Sequence, residues 1–380
     1  MKKCIVAPDS FKGSLSAIEV CDIAKESILN IFPECQVESI PIADGGEGTV
    51  DCFMIALKGE KVSVRVHGPY MEEIETYYGK FGDMAVVEMA KAAGMLLAGN
   101  NPNPAKTTTY GVGELIRHAV KNGAKTVFVG LGGSATNDAG CGCAAAVGVK
   151  FFDSEGNSFI PIGDTINNIV KIDVVEAREL LKDCEIIGMR DTDIKMHGVK
   201  GAACVFGQQK GADKHMIADL DKKLRYLDKI IASQLNVSVG NISGSGAAGA
   251  MGAGIVAFLG GTLESGIDTI LDVVGLDAKL ADADLLITGE GRIDSQSLSG
   301  KAVIGVAKRA KKLNVPVYVF VGEVDESAVG AYDLGVTAMF SINRKAMPFE
   351  KSKHYSRENL KETLENVLRA VKSADRVMNI

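Results

Sequence analysis

The sequence predicts an α/β protein in which a parallel-sheet domain carries a second α/β domain, of mixed sheet, inserted into it. Three observations point there. Short apolar runs alternate with segments of helical period near both ends of the chain, the pattern of strands joined by crossover helices. The middle of the chain breaks that pattern with closely spaced β-rich runs. At 380 residues the chain also exceeds the size at which one hydrophobic core usually stops growing.

Taken in order, residues 3–7 form an apolar strand, followed by a polar loop and a helix over 17–29. Residues 37–43 read as a second strand, entering a glycine loop and an apolar helix over 50–57. The same alternation returns only much later, with strands over 285–288, 317–321 and 336–341 and a helix over 301–312. A closing helix over 359–372 sets Leu360, Leu364, Val367, Leu368 and Val371 on one face. These pieces predict a five-stranded parallel, flavodoxin-like sheet formed by residues 1–60 and 271–380. Residues 61–270 supply the inserted domain. It starts with an antiparallel meander over 62–67, 74–81 and 85–89, then a helix over 112–121 and a strand over 126–131. An Ala-rich helix over 139–147, a hairpin-like 149–159, a strand over 185–189 and an amphipathic helix over 216–235 follow.

Composition excludes several classes of partner. A net charge of −6 gives no electrostatic footprint for nucleic acid or an anionic membrane. No stretch approaches the roughly 18 apolar residues of a transmembrane helix, and the apolar run near the N-terminus is too short for a signal peptide. The eight cysteines show no CxxC pair and read as free, mostly buried thiols, so a cytoplasmic protein is expected. The 43 glycines are clustered rather than periodic, which argues for backbone-lined binding loops.

Three polar segments follow strands of the outer sheet: 9–14 with Ser10 and Lys12, 44–49 with Asp44 and Glu47, and 289–295 with Glu290, Arg292 and Asp294. Ligands of parallel sheets bind at the carboxyl edge, so the three are expected to share one site. The last is the most telling, because three ionisable side chains crowd behind an apolar strand and each would be costly to bury unpaired. They offer carboxylates to a metal or a proton, and a guanidinium to an anion. Lys12, set between Ser10 and Ser14, would join Arg292 in holding an acidic substrate.

The inserted domain has its own glycine loops. Gly132, Gly133, Ser134, Thr136 and Asn137 follow a strand and open a helix, an arrangement suited to an anion; the alternative is a capped helix start with Asp138 satisfying local amides. Residues 244–254 contain a literal GxGxxG. That pattern needs a firm preceding strand to signal a nicotinamide site, and 237–242 is a poor one, so a close-packed helix start or a phosphate cradle is the better reading. Lys210 lies between glycines and could touch phosphate or sit on a solvated turn. Walker A, kinase-loop, HExxH and GxSxG patterns are missing. Carboxylates, glycine loops and lysines without a nucleophile–base pair suit phosphoryl transfer.

At these motifs the sequence resembles the type I glycerate kinases. The matching segments are 7–17, 41–49, 132–138, 206–212, 246–254 and 287–299, in order over nearly the whole chain. The resemblance implies ATP-dependent phosphorylation of D-glycerate to 2-phosphoglycerate or 3-phosphoglycerate, and a flavodoxin-like domain with a second α/β domain inserted. The chain departs from that pattern on loops. Ile194 and Lys195 replace an Asn-Pro pair, Gln208 stands where proline is usual, and Gly322-Glu323 replaces Gly-Ser. Residues 344–357 are also unlike the family's apolar helix.

With that resemblance, the expected site lies in a cleft between the domains and takes MgATP and a small hydroxy acid. Ser10, Lys12 and Arg292 bind the substrate, Lys12 also serving the transferring phosphoryl group. Asp294 or Asp191 is the base for the substrate hydroxyl. Asp44, Glu47 and Glu290 hold Mg²⁺ directly or through water. Gly132, Gly133, Ser134, Thr136, Asn137, Gly246 and Gly249, with Lys210, bind the ATP phosphates. Competing readings are a kinase of a related acid, a low-activity metabolite-binding protein, and a nicotinamide-dependent dehydrogenase.

Overall fold

The structure, a computed structural model, describes residues 1–43, 45–46 and 48–377. The chain divides into two compact units, Met1–Asp44 with Ile267–Ile380, and Gly45–Gly266. It begins with β1 (Lys3–Val6), α1 (Ala17–Ile31) and β2 (Gln36–Ser39). The second unit opens with α2 (Thr49–Leu57), β3 (Glu60–His67), β4 (Glu73–Phe81), β5 (Met84–Glu88), α3 (Ala90–Ala93) and α4 (Tyr110–Lys121). It continues through β6 (Thr126–Gly130), α5 (Cys141–Val147), β7 (Lys150–Phe152), β8 (Ser158–Phe159), β9 (Lys171–Asp173) and α6 (Val175–Leu181). It ends with β10 (Glu185–Arg190), α7 (Ala202–Phe206), α8 (Lys214–Leu235), α9 (Ala247–Leu259) and β11 (Thr262–Ser265). The first unit resumes with α10 (Gly266–Val273), α11 (Leu276–Leu280), β12 (Leu285–Ile293), α12 (Ala302–Lys312) and β13 (Val317–Val324), and closes with β14 (Ala338–Ser341), α13 (Phe349–Ser352) and α14 (Ser356–Val377).

In the first unit the strands run β2-β1-β12-β13-β14 and every pair is parallel. Numbered within the unit this is the flavodoxin order 2-1-3-4-5. Alternate strand residues Cys4, Val6, Leu285 and Ile287 face one core, shared with Val20, Ile23 and Ile28 of α1 and Leu360, Leu364 and Leu368 of α14. A capping box starts α1: Ser16 Oγ accepts from Glu19 N at 3.2 Å, and Glu19 accepts from Ser16 N at 2.9 Å. That box fixes where the helix begins, and so the length of the polar loop after β1.

The second unit holds a mixed six-stranded sheet, β11-β10-β6-β5-β4-β3, in which β4 pairs antiparallel with both β5 and β3, and a small β8-β7-β9 sheet. Its core runs from Val87 and Val129 through Leu115 and Phe151 to Leu224 and Phe258.

Four sequence expectations change. The first junction lies at residue 44 rather than 60, because α2 packs on β4 and β5 of the second unit, and the second lies at 266 rather than 270. β12 does not stop at Thr288. It stays paired with β13 as far as Ile293↔Val324, beyond the end of β1, so Glu290 and Arg292 are strand residues. Gly45 and Gly46 belong to the second unit, where Gly45 O accepts from Gly132 N at 3.0 Å. A Cβ on Gly132 would sit 2.5 Å from Gly46 Cα, so only glycines allow that approach. Finally, α5 begins at Cys141 rather than Ala139, since Ala139 and Gly140 are left-handed at φ +53° and +72°.

Candidate active site

The carboxyl edge of the first unit's sheet opens into a cavity of about 490 Å³. Ser10, Lys12, Glu290, Arg292 and Asp294 all line it, so the structure brings together five of the residues singled out in the sequence. Phe11, Ile342, Met347 and Phe349 form its apolar side.

Glu290 is a buried member of this lining. It is 8% exposed, and its Oε1 is buried with no hydrogen-bond partner. Burial pushes its carboxyl up to about 7; a hydrogen bond from Ser297 opposes that rise, and the charge on Asp9 adds to it. Asp9 is itself buried, and its Oδ1 accepts from Ser10 N at 2.6 Å.

Arg292 is half-exposed and set among carboxylates. Its Nη2 hydrogen-bonds Asp325 and lies 3.8 Å from Glu323 Oε1, while its Nε lies 3.8 Å from Asp294 Oδ2. Asp325 is fastened by Ser327, whose N and Oγ donate to Oδ1 at 2.9 and 2.6 Å. Those bonds and Arg292 hold the Asp325 carboxyl down at about 2. Asp294 is oriented from the other side. Its Oδ1 accepts from Gln296 N at 2.8 Å and Ser297 N at 3.2 Å, which leaves Oδ2 turned toward Arg292.

The other described candidates lie in the second unit. Asp191 is exposed at the carboxyl end of β10. Lys210 is 3% exposed, so the solvated-turn reading fails; its Nζ donates to Ser134 Oγ at 2.7 Å and to Thr136 O at 2.8 Å. Burial lowers its pKa to about 7 against the opposing pull of Asp138. Asp138 is fully buried and accepts from Thr109 N, Thr109 Oγ1, Gly140 N and Gly142 N, so it organises the turn rather than meeting a ligand. Thr136 Oγ1, Asn137 Nδ2 and Ser245 Oγ are buried with no partner.

The second glycine segment packs onto the first. Gly249 O accepts from Ala139 N at 3.1 Å, and a Cβ on Gly249 would lie 1.9 Å from Thr136 O. A Cβ on Gly246 would likewise lie 2.1 Å from Lys195 O. Ala248, Gly249 and Ala250 are left-handed inside the first turns of α9, and the strand preceding them, β10, ends at Arg190. A dinucleotide fingerprint needs a strand running straight into its glycine turn, so this segment does not fit one.

For a divalent cation, the fitting feature is the buried, unpartnered Oε1 of Glu290 with Asp9 nearby. Among the described residues no group of three or more His, Cys, Asp or Glu is gathered as a ligand set. Mg²⁺ does not require one, since it commonly takes one or two carboxylates and fills its sphere with water and phosphate oxygens. Asp44 and Glu47, expected as further ligands, lie outside the described residues.

Sequence reasoning passed over Asp9, Asp325 and Glu88. Asp9 carried a visible signal, as the first polar residue after β1. Glu88 closes β5 and accepts from Val50 N at 2.6 Å, capping α2 across 38 residues, a partnership that spacing does not reveal. Of the eight free cysteines, six are buried, Cys184 is half-buried and Cys204 is exposed.

Fold and site together define an α/β enzyme with a carboxylate-lined cavity at a parallel sheet edge. The glycerate kinase family matches residues 4–372. A glycerate kinase of Bacillus cereus is 42% identical over 96% of this chain and 97% of its own length. The glycerate 2-kinase of Escherichia coli is 42% identical, covering 90% of both chains. The crystal structure of a Salmonella typhimurium LT2 protein assigned as glycerate kinase 2 superposes with a TM-score of 0.87, at 40% identity over 99% of both chains. The chain belongs to the glycerate kinase family, and its members are phosphotransferases.

Proposed function

We propose that the chain transfers the γ-phosphoryl group of ATP to a hydroxyl of D-glycerate, giving 2-phosphoglycerate or 3-phosphoglycerate. The observation that carries this reading is the cavity, lined by the buried carboxylate of Glu290 and by Lys12 and Arg292. Lys12 and Arg292 receive the substrate carboxylate. The glycerate hydroxyl oxygen attacks the γ-phosphorus, the bond to the β–γ bridging oxygen breaks, and the hydroxyl proton passes to Asp294 Oδ2. Asp294 is preferred to Asp191 because it shares the cavity with Lys12 and Arg292 and is already oriented through Oδ1. Glu290, with Asp9 beside it, would hold Mg²⁺, whose charge screens the phosphate oxygens.

The second unit's glycine segments, with Lys210 bracing Ser134 and Thr136, are proposed to hold the ATP phosphates. The chain is proposed to act in the cytoplasm. Its free cysteines suit a reducing compartment, and among the described residues no helix is long and apolar enough to cross a membrane.

ATP consumption measured against D-glycerate and related hydroxy acids tests the reading, and phosphorus NMR of the product fixes the position. Turnover with D-glycerate is expected. Measurable binding without turnover of any acid would leave a metabolite-binding protein instead.

A further inference from the structure

We infer that Glu323 sets the substrate specificity of this cavity, guarding Arg292 so that acids with one carboxylate are accepted and dicarboxylates are turned away. The inference rests on the reading that Arg292 receives the substrate carboxylate.

Arg292 and Glu323 are register partners on neighbouring parallel strands, so their side chains leave the sheet on the same face. Both line the cavity. The guanidinium is shared unequally. Asp325 makes the hydrogen bond to Nη2 and is itself tied to Ser327, whereas Glu323 Oε1 stands 3.8 Å away, beyond hydrogen-bond reach. Glu323 is also the freer of the two, with its side chain 59% exposed against 29% for Asp325.

The two carboxylates therefore do different things. Asp325 aims the guanidinium from a fixed position. Glu323 is a loosely attached charge on the same group, and an arriving carboxylate displaces it at small cost. A second carboxylate meets a different situation. With Asp9 and Glu290 given to the cation, Lys12, Arg292 and Lys301 are offset by Asp294 and Glu323 among the described lining residues, and the first carboxylate takes the one positive charge left over, so none remains for a second. A resident charge of the wrong sign is an effective way to reject such a ligand.

The test compares the wild-type chain with Glu323→Gln and Glu323→Asp. It measures the KM for D-glycerate and the inhibition constant of tartronate, which has the same three-carbon skeleton with a second carboxylate. Glu323→Gln is expected to tighten tartronate by roughly tenfold or more, while the KM for D-glycerate falls by only about threefold. Glu323→Asp keeps the charge and should keep the discrimination. A ratio of tartronate Ki to glycerate KM that does not change in Glu323→Gln would overturn the inference, as would equal effects of the Gln and Asp variants. Failure of the wild-type chain to turn over D-glycerate would instead strike the underlying reading. In that case tartronate binding measured by calorimetry still decides the role of Glu323: tighter binding to the Gln variant supports it, and unchanged binding rejects it.

Discussion

Lys210 Nζ lies 2.7 Å from Ser134 Oγ, joining a buried lysine to a glycine loop 76 residues earlier in the chain. The same ammonium donates to Thr136 O, so one side chain holds the loop at two points. Its pKa is lowered by burial to about 7, which gives the stability of the chain a defined pH signature. An unfolded lysine keeps its proton to about pH 10, so between about 7 and 10 the unfolded state binds more protons than the folded one. Stability therefore rises with pH across that window as far as Lys210 contributes. Urea unfolding across that range should show the rise in the wild-type chain and lose it in Lys210→Met. A slope that survives the substitution would remove Lys210 as its cause.

Glu290 gives the opposite sign. Its carboxyl is raised to about 7, so from about pH 4.5 to 7 the folded state holds a proton that the unfolded state has released. Stability falls as pH rises through that window, and above it the buried anion is fully present. On the proposed reading, Mg²⁺ bound at Glu290 would offset that cost. Millimolar Mg²⁺ should raise the melting temperature above pH 7 and do so progressively less below it. Glu290→Gln should melt higher than wild type at alkaline pH and respond little to Mg²⁺. An undiminished Mg²⁺ shift in that variant would place the cation elsewhere.

Gly249→Ala tests the packing of the two glycine segments. The new Cβ meets Thr136 O at 1.9 Å, and φ is +66°, where a side chain alone costs about 1 kcal/mol. The backbone cannot yield without moving the loop that Lys210 braces. The expected loss is more than about 2 kcal/mol in chemical unfolding, together with a raised KM for ATP. A native unfolding midpoint and a native KM for ATP would show that the two segments do not depend on each other.

Much of this was legible before the structure. β1, the start of β12 and most of β13 carry apolar runs that end in polar loops, and that contrast points to a parallel sheet. The cavity residues Ser10, Lys12, Glu290, Arg292 and Asp294 could be found because each follows an apolar run. What escaped was set by partners distant in sequence. β12 runs on to Ile293 only because β13 continues beside it, and a glutamate and an arginine are poor local evidence for a strand. The loop at Gly45 and Gly46 looked like an exit from β2, yet its close approach to Gly130 and Gly132 assigns it to the other unit. Lys210 read as equally suited to solvent and to phosphate because its burial comes from Ser134 and Thr136, which no local window contains.

Asp325→Asn asks whether Arg292 works because it is aimed. Asn is isosteric and its Oδ1 can still accept from Ser327 N, so the substitution removes the charge and spares the local turn. The Asp325 carboxyl is depressed to about 2, so it is ionised throughout the working pH range. Its contribution to stability is present above the ordinary aspartate range and is lost only as pH falls toward 2. The aim of Arg292 should therefore be independent of pH near neutrality, unlike the state of Glu290. Without that partner the guanidinium is left with Glu323 and Asp294 at 3.8 Å, and it turns toward them. The KM for D-glycerate should rise by roughly tenfold, with a smaller change in kcat and an unaltered pH profile. Glu323→Gln should move the same KM in the opposite direction. A rise in both variants, or in neither, would mean that the two carboxylates do not divide their work on Arg292 as fixed anchor and displaceable guard.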